Sequence, residues 1–221
     1  MPSHRALLVD YLGSGFSDHS ETFSYTMEDH AQTVASILDH ENIKGATVIG
    51  HSMGGTVAIM LALSRPDLVS KLIIGEGNVT PGGGVATRHI ASYSKSEYVK
   101  EEFARSREER FQAAIEGDEG AIRLSGLWST VNAAGLHGNS KALVELNPSI
   151  KELFLKLSIP RTFIYGERSL PANTGEVSPD APEPSELEAR GIQIGVVPNA
   201  GHAQMFENLD GFVDVLTKAI E

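Results

Sequence analysis

Ser52 is the residue whose surroundings most directly indicate chemistry. It lies in the pentapeptide Gly50-His51-Ser52-Met53-Gly54, which has the spacing Gly-x-Ser-x-Gly. An apolar, partly β-branched run precedes it and small apolar residues follow it, so the pattern predicts a strand, a sharp turn and a helix rather than an ordinary glycine-rich turn. In that setting Ser52 is a candidate nucleophile, and the backbone N–H of Met53, at the positive end of the helix, is a candidate oxyanion donor.

Composition limits the partners of this chemistry. The 221 residues carry a formal net charge of −11 and include no cysteine. An acidic chain without a basic patch argues against nucleic acid or an anionic membrane as a partner. The lack of cysteine excludes disulfides and thiolate ligands, and His30 and His40 have no partner at metal-ligand spacing, so no metal is expected. No apolar signal core or membrane-spanning run is found, so a cytoplasmic location is expected.

Predicted strands and helices alternate along the chain, which indicates a mostly parallel α/β sheet. The loop after the first strand contains Gly13-x-Gly15 but lacks the third glycine of a dinucleotide fingerprint, so nucleotide binding is disfavoured. From 80 to 157 the pattern changes to charged amphipathic helices after a glycine-rich hinge, which predicts an inserted helical lobe. The predicted strands lie at 6–9, 46–50, 68–74, 159–166 and 192–197.

Four motifs occur in a fixed order: Asp10-x-x-Gly13-x-Gly15-x-Ser17-Asp18, Gly50-His51-Ser52-Met53-Gly54-Gly55, Tyr165-Gly166-Glu167, and Asn199-Ala200-Gly201-His202 with Glu207-Asn208. In this order they resemble the α/β-hydrolase superfamily from its fourth core strand to its end. The resemblance implies that Ser52 is the nucleophile and His202 the general base. It also identifies the helical lobe at 80–157 as a cap that shapes the substrate pocket, with 1–79 and 158–221 as the core.

A serine hydroxyl needs a base that takes its proton during attack, and an imidazole with a pKa of about 6.5 suits that task. Among the eight histidines of the chain, His202 has the context that matches, in a loop after the last predicted strand. His51 is adjacent to the nucleophile, but a tight turn directs it elsewhere. Its expected role is packing or lining the substrate pocket.

The third member of the predicted triad is less directly indicated. The family's usual acid position falls on Ser169, which cannot carry a negative charge beside an imidazolium. Two carboxylates are candidates: Glu167, and Glu76 in Gly75-Glu76-Gly77-Asn78 after the third predicted strand. We favour Glu76, because some α/β-hydrolases carry the acid on that strand and catalytic groups converge at the carboxyl ends of parallel strands.

The resemblance begins only at the family's fourth core strand. Three strands normally precede the one predicted at 6–9, and the loop after the third supplies a second oxyanion N–H. In the family's strand order that third strand lies between the strands predicted at 6–9 and 46–50. Without it, unpaired backbone groups would cost about 1 to 3 kcal/mol each unless the two strands moved together. We therefore expect an N-terminally truncated hydrolase sheet with half of its oxyanion hole absent.

The sequence thus predicts a serine hydrolase that cleaves a small carboxylic ester, a thioester or a C–C bond through Ser52, His202 and Glu76, without a cofactor. Because the nucleophile is serine and not aspartate, epoxide opening and dehalogenation are disfavoured. A non-catalytic or impaired protein that binds ligands is the alternative, and a hydroxynitrile lyase or cofactor-free oxygenase is a weaker one. The expected partner is an ester-like small molecule, and an open sheet edge favours association into homo-oligomers.

Overall fold

The computed structural model describes residues 4–174 and 182–221, and these form two compact units. The sheet unit consists of Met27–Gly84 and Leu143–Glu221. The helical unit consists of Val85–Ala142 and the described part of Met1–Thr26. Residues 175–181, within the polar stretch after the strand predicted at 159–166, lie outside the described residues. The predicted assignment of 80–157 as a functional cap stays a prediction, since compactness alone does not define a cap.

The sheet unit is built on four parallel strands, which confirms the predicted fold class. Apolar runs bounded by glycine or proline form them, and the second and third strands are largely buried, as expected of strands covered on both faces. Each strand pairs only with its neighbour along the chain. All six residues of the third strand are buried, so this strand lies at the centre of the core. The strands are β1 (Ala46–His51), β2 (Val69–Gly75), β3 (Arg161–Gly166) and β4 (Gln193–Val197).

Helices connect these strands and form the second unit. The closing helix packs its apolar face on Ile73, Ile164 and Val197 of the sheet, through Phe212, Val215 and Leu216. Within the described residues, no helix is long and apolar enough to cross a membrane. The helices are α1 (Met27–His40), α2 (Met53–Ser64), α3 (Val85–Ala91), α4 (Lys95–Glu97), α5 (Phe103–Ile115), α6 (Glu119–Ser129), α7 (Ala133–Val144), α8 (Ile150–Lys156), α9 (Pro171–Thr174), α10 (Pro184–Glu188), α11 (Gln204–Glu207) and α12 (Leu209–Ile220).

The strand predicted at 6–9 is wrong, because those residues form no strand in the structure. Leu8 there is 93% exposed instead of buried. In the described sheet β1 pairs only with β2, and its residue Ile49 is 48% exposed, so β1 is an edge strand. The physical reason is that a strand persists only where a neighbour satisfies its backbone groups, and among the described residues no strand pairs with residues 6–9.

The helical unit has its own aromatic core. Phe103 and Trp128 stack with ring centroids 5.4 Å apart, and the guanidinium of Arg110 lies 4.5 Å from the Trp128 ring. A turn of π-helix, Tyr98–Glu102, joins α4 to α5. Both the Tyr98 ring and the Glu102 side chain are buried in this turn.

Glu102 carries a charge in this nearly buried position because donors surround it. Arg105 pairs with its carboxylate, and the hydroxyl of Ser106 donates to Oε1 at 2.7 Å. His89 Nε2 lies 3.5 Å from the same oxygen. The hydrogen bonds from Arg105 and Ser106 outweigh burial and lower the pKa of Glu102 to about 2.

We predict that Glu102 stabilises the helical unit in a pH-dependent way. A lowered carboxyl pKa contributes stability above the ordinary value of 4.5, and that contribution is lost as the pH falls toward about 2. Glu102→Gln should therefore lower the unfolding midpoint at pH 7, with a gap to the wild type that closes on acidification. Fluorescence of Trp128, the single tryptophan of the chain, measures this unfolding. The exposed neighbour Glu101→Gln serves as control, and a gap that does not depend on pH would contradict the prediction.

Candidate active site

Three predicted site residues follow the carboxyl ends of three strands of the sheet unit. Ser52 comes directly after β1, Glu76 directly after β2, and His202 lies in the loop between β4 and α11. Because parallel strands end at the same edge of a sheet, side chains from all three converge there. The structure thus brings together residues that are separated by up to 150 positions in the chain.

Ser52 occupies a strained turn between β1 and α2. Its backbone has a φ of 52° and a ψ of −124°, a conformation that residues other than glycine rarely adopt. A Cβ at Gly50 would lie 2.2 Å from the carbonyl oxygen of Gly54, so only glycine permits this approach of strand and helix. The N–H of Ser52 donates to the Gly75 carbonyl at 2.8 Å, which ties the turn to the end of β2.

A chain of hydrogen bonds joins the three side chains. His202 Nδ1 lies 2.8 Å from Glu76 Oε2, and His202 Nε2 lies 3.1 Å from Ser52 Oγ. An ionised carboxylate only accepts, so Nδ1 carries the ring proton and Nε2 is left to accept the Ser52 hydroxyl proton. The side chain of His202 is 57% exposed and that of Glu76 is 9% exposed. The three side chains are therefore arranged as a nucleophile, a base and an acid would be, and the imidazole is open to solvent.

Glu76 is held as an anion. Burial by itself raises its pKa, but hydrogen bonds from His202, from the Gly166 N–H at 2.7 Å and from Gln204 more than offset this and lower the pKa. The backbone of Glu76 has a φ of 44°, and its N–H donates to the Ile164 carbonyl at 3.1 Å. The carboxylate therefore stays charged next to the imidazole at neutral pH.

The loop that carries His202 is braced by one carboxylate. Glu207 accepts the N–H of Gly201 at 3.0 Å on one oxygen and the N–H of Ala203 at 3.2 Å on the other. Arg168 pairs with the same carboxylate and also donates to the Asn199 carbonyl at 2.6 Å. Both residues that flank His202 are thereby anchored, which limits the positions of its ring.

His51 lies beside the base. Its Nε2 is 2.7 Å from the backbone carbonyl of His202, so this nitrogen carries the proton and donates. The two rings have centroids 4.8 Å apart. Burial, and then repulsion from His202 in its protonated form, lower the pKa of His51, so its ring is neutral at neutral pH. The contact supports the His202 loop, while the predicted contact of His51 with a substrate stays a prediction.

The alternative acid has other partners. The carboxylate of Glu167 accepts the N–H of Asn199 at 2.7 Å, which ties the end of β3 to the turn after β4. Between the two candidate acids, the structure directs Glu76 toward His202 Nδ1. Met53 is the first residue of α2, and the first N–H groups of a helix have no acceptor within it. Its N–H is thus available next to Ser52.

Sequence reasoning did not find every residue around this triad. Gln204 and the N–H of Gly166 both contact the Glu76 carboxylate, and neither position carries a pattern that distinguishes it from ordinary loop residues. Glu207 was recognised only as part of a motif. Its spacing of five residues from His202, at the end of the short helix α11, is the signal that it folds back on the loop.

Comparison with known proteins gives matches to hydrolases. A family described as "alpha/beta hydrolase fold" matches residues 2–119, just over half of the chain. The mouse protein named sn-1-specific diacylglycerol lipase ABHD11 is 28% identical over 228 residues, covering 96% of this chain and 70% of that protein. The protein named uncharacterized hydrolase YugF of Bacillus subtilis (strain 168) is 43% identical over 68 residues, which is 31% of this chain and only 25% of that protein.

The fold is also shared with solved structures. The enol-lactonase from Burkholderia xenovorans LB400 superimposes with a TM-score of 0.72 over 96% of this chain and 78% of that chain. The sequence identity is 18%, so this likeness shows the fold alone. Together with the family match, it confirms the resemblance inferred from the four motifs.

We predict that Gly50→Ala disrupts the turn at Ser52. The added methyl group would meet the backbone of Gly54 and Gly55, which cannot move without shifting α2. Overpacking of this kind costs about 1 to 3 kcal/mol or more, so the thermal midpoint should fall by several degrees. Gly126→Ala in α6, where nothing lies within 4 Å of the new Cβ, is the matched control and should not lower the midpoint. Equal thermal midpoints for Gly50→Ala and Gly126→Ala would contradict the prediction that the turn at Ser52 requires glycine at position 50.

Proposed function

Because the chain belongs to the α/β-hydrolase fold family, we propose that it is a serine hydrolase that cleaves a small carboxylic ester through an acyl-enzyme. The observation that carries the proposal is the hydrogen-bonded series Ser52, His202 and Glu76, with distances of 3.1 and 2.8 Å. A serine, a base and an orienting carboxylate in this arrangement are the parts that acyl transfer requires.

In the proposed reaction, Ser52 Oγ attacks the ester carbonyl carbon while its proton passes to His202 Nε2. The C–O bond to the leaving alcohol then breaks, and His202 returns the proton to that alcohol. Water attacks the acyl-enzyme by the same route, and the carboxylic acid is released. Glu76 holds the proton on Nδ1, and its negative charge stabilises the imidazolium that forms in each half-reaction.

The N–H of Met53 supplies one donor for the oxyanion that develops on the carbonyl oxygen. Removal of one oxyanion donor typically costs a factor of about 10² to 10³ in rate. If Met53 acts without a second donor, slow turnover of activated esters is the expected behaviour. An ester with a good leaving group is therefore the appropriate first substrate.

The substrate class follows from the nucleophile and is in keeping with the names of similar proteins. A serine hydroxyl, deprotonated as it attacks, forms an acyl ester that water can then hydrolyse, whereas dehalogenation and epoxide opening rely on an aspartate in this family. The mouse relative is named a lipase and the structural neighbour an enol-lactonase, and both names describe cleavage of a carboxylic ester. Fold alone does not determine the reaction, so the ester class rests on the site.

We predict that a fluorophosphonate probe labels Ser52. The reaction needs the hydroxyl, the base and the turn at once, so labelling reports on the assembled site. Ser52→Ala should abolish labelling and should also abolish hydrolysis of p-nitrophenyl acetate. Thermal unfolding is followed on the same samples. Absent labelling in a chain that unfolds cooperatively would contradict the proposal and favour the alternative of a folded, non-catalytic binding protein.

A second prediction separates the two candidate acids. Glu76→Gln keeps the shape but removes the charge that stabilises the imidazolium, so kcat should fall by a factor of about 10² to 10⁴. Glu167→Gln is the matched control, because its carboxylate accepts a backbone N–H and does not contact His202 Nδ1 among the described contacts. It should change kcat by less than about threefold. The reverse order of effects would move the acid to Glu167.

A further inference from the structure

Gln204 is a buried side chain that the proposed reaction does not yet use. It begins α11, two residues after His202, and is 0% exposed. Its Nε2 lies 3.1 Å from Glu76 Oε1 and 3.1 Å from the carbonyl oxygen of Ile164. A carboxylate and a carbonyl both only accept, so these two contacts determine which end of the amide is the NH₂ group.

The two hydrogen bonds from Gln204 involve the two groups that orient Glu76: its carboxylate, and the Ile164 carbonyl that anchors its backbone. The Ile164 carbonyl also accepts the backbone N–H of Glu76, so Gln204 shares the anchor of the strained residue itself. Glu76 Oε1 accepts Gln204 and the Gly166 N–H, while Oε2 faces His202. With Oε1 held by two donors, rotation of the carboxylate about its last bond is restricted, and Oε2 stays aligned with His202 Nδ1.

The two ends of the amide differ in their surroundings. Among the described residues, no protein group donates to the buried Gln204 Oε1. The NH₂ group, in contrast, lies between Glu76 Oε1 and the Ile164 carbonyl. The hydrogen bonds that the described residues make with this amide therefore involve its donor end.

We propose that Gln204 is a positioning residue, which orients the Glu76 carboxylate toward His202 and so acts on the reaction through that pair. This inference rests on the proposed function for its catalytic consequence. The hydrogen bond that it concerns exists in the resting protein and is measurable without any substrate.

The first test compares Gln204→Leu with the wild type. The variant keeps the volume and removes the donor, so kcat should fall about tenfold with KM changed by less than about twofold. Gln112→Leu is the matched control, because Gln112 Nε2 also donates to a glutamate, Glu108, at 2.7 Å but in the helical unit. This control should leave kcat unchanged. An unchanged kcat in Gln204→Leu, or a loss of thermal stability alone, would overturn the proposal.

A double-mutant cycle shows whether Gln204 acts through Glu76. In the Glu76→Gln background, Gln204→Leu should change the fluorophosphonate labelling rate by less than about twofold, because the oriented charge is already gone. If Gln204→Leu lowered the labelling rate by the same factor in the wild type and in Glu76→Gln, Gln204 would not act through Glu76.

Gln204→Glu provides a second variant with the shape of the original. Its carboxyl donates only when protonated, and two carboxylates in contact share one proton, so its activity relative to the wild type should decline as the pH rises. A ratio that does not depend on pH would contradict the donor role. Glu76 is the titratable group in contact with Gln204, and His202 contacts Glu76 in turn. His51 and Gln204 both lie close to Gly75, the charge of Glu76 acts on Tyr165, and Glu207 lies in the same helix as Gln204.

The proton on His202 Nδ1 gives a readout that is independent of turnover. In the wild type its hydrogen bond to Glu76 should produce a low-field proton resonance, and Gln204→Leu should shift or broaden it while Gln112→Leu does not. If the wild type hydrolyses no ester, the proposed function fails, and this resonance still decides the role of Gln204. A resonance that is identical in Gln204→Leu and the wild type would overturn that role.

Discussion

A carboxylate that is almost removed from water stays charged only if donors replace the water. Glu76, 9% exposed, meets this condition with His202, the Gly166 N–H and Gln204. The Gly166 N–H comes from the end of β3, whereas His202 and Gln204 both come from the segment that follows β4. The charge of Glu76 therefore depends on correct pairing of β2 with β3 and on closure of the loop after β4. Conversely, the imidazole has an oriented partner only while all of these are in place.

Two of the three triad residues have backbone conformations that few side chains adopt. Ser52 has a φ of 52° and Glu76 a φ of 44°. Such conformations cost about 1 to 3 kcal/mol each and persist where the surroundings determine them. At Ser52 the determinants are the glycine at 50 and the bond to Gly75, and at Glu76 the bond to Ile164. Contacts within the sheet thus maintain both strained conformations. They place the side chains of Ser52 and Glu76 at the carboxyl edge of the sheet in directions that an ordinary turn would not allow.

Hydrogen bonds to the backbone, more than ion pairs, hold the base. Glu207 binds the N–H groups on both sides of His202, and His51 binds its carbonyl. Because a backbone group has few rotational alternatives, these contacts determine the position of a half-exposed ring at little cost in entropy.

The sequence alone determined the strand, turn and helix at Ser52, because glycine spacing and apolar periodicity are local properties. It likewise determined the parallel α/β class and named His202 and Glu76 as candidates. It did not determine whether residues 6–9 form a strand, since an apolar run becomes a strand only where a neighbour pairs with it. It favoured Glu76 over Glu167 without determining which carboxylate contacts His202, and it did not identify Gln204. Those depend on which atoms meet across 90 or more positions of the chain, and only the tertiary structure decides such distances.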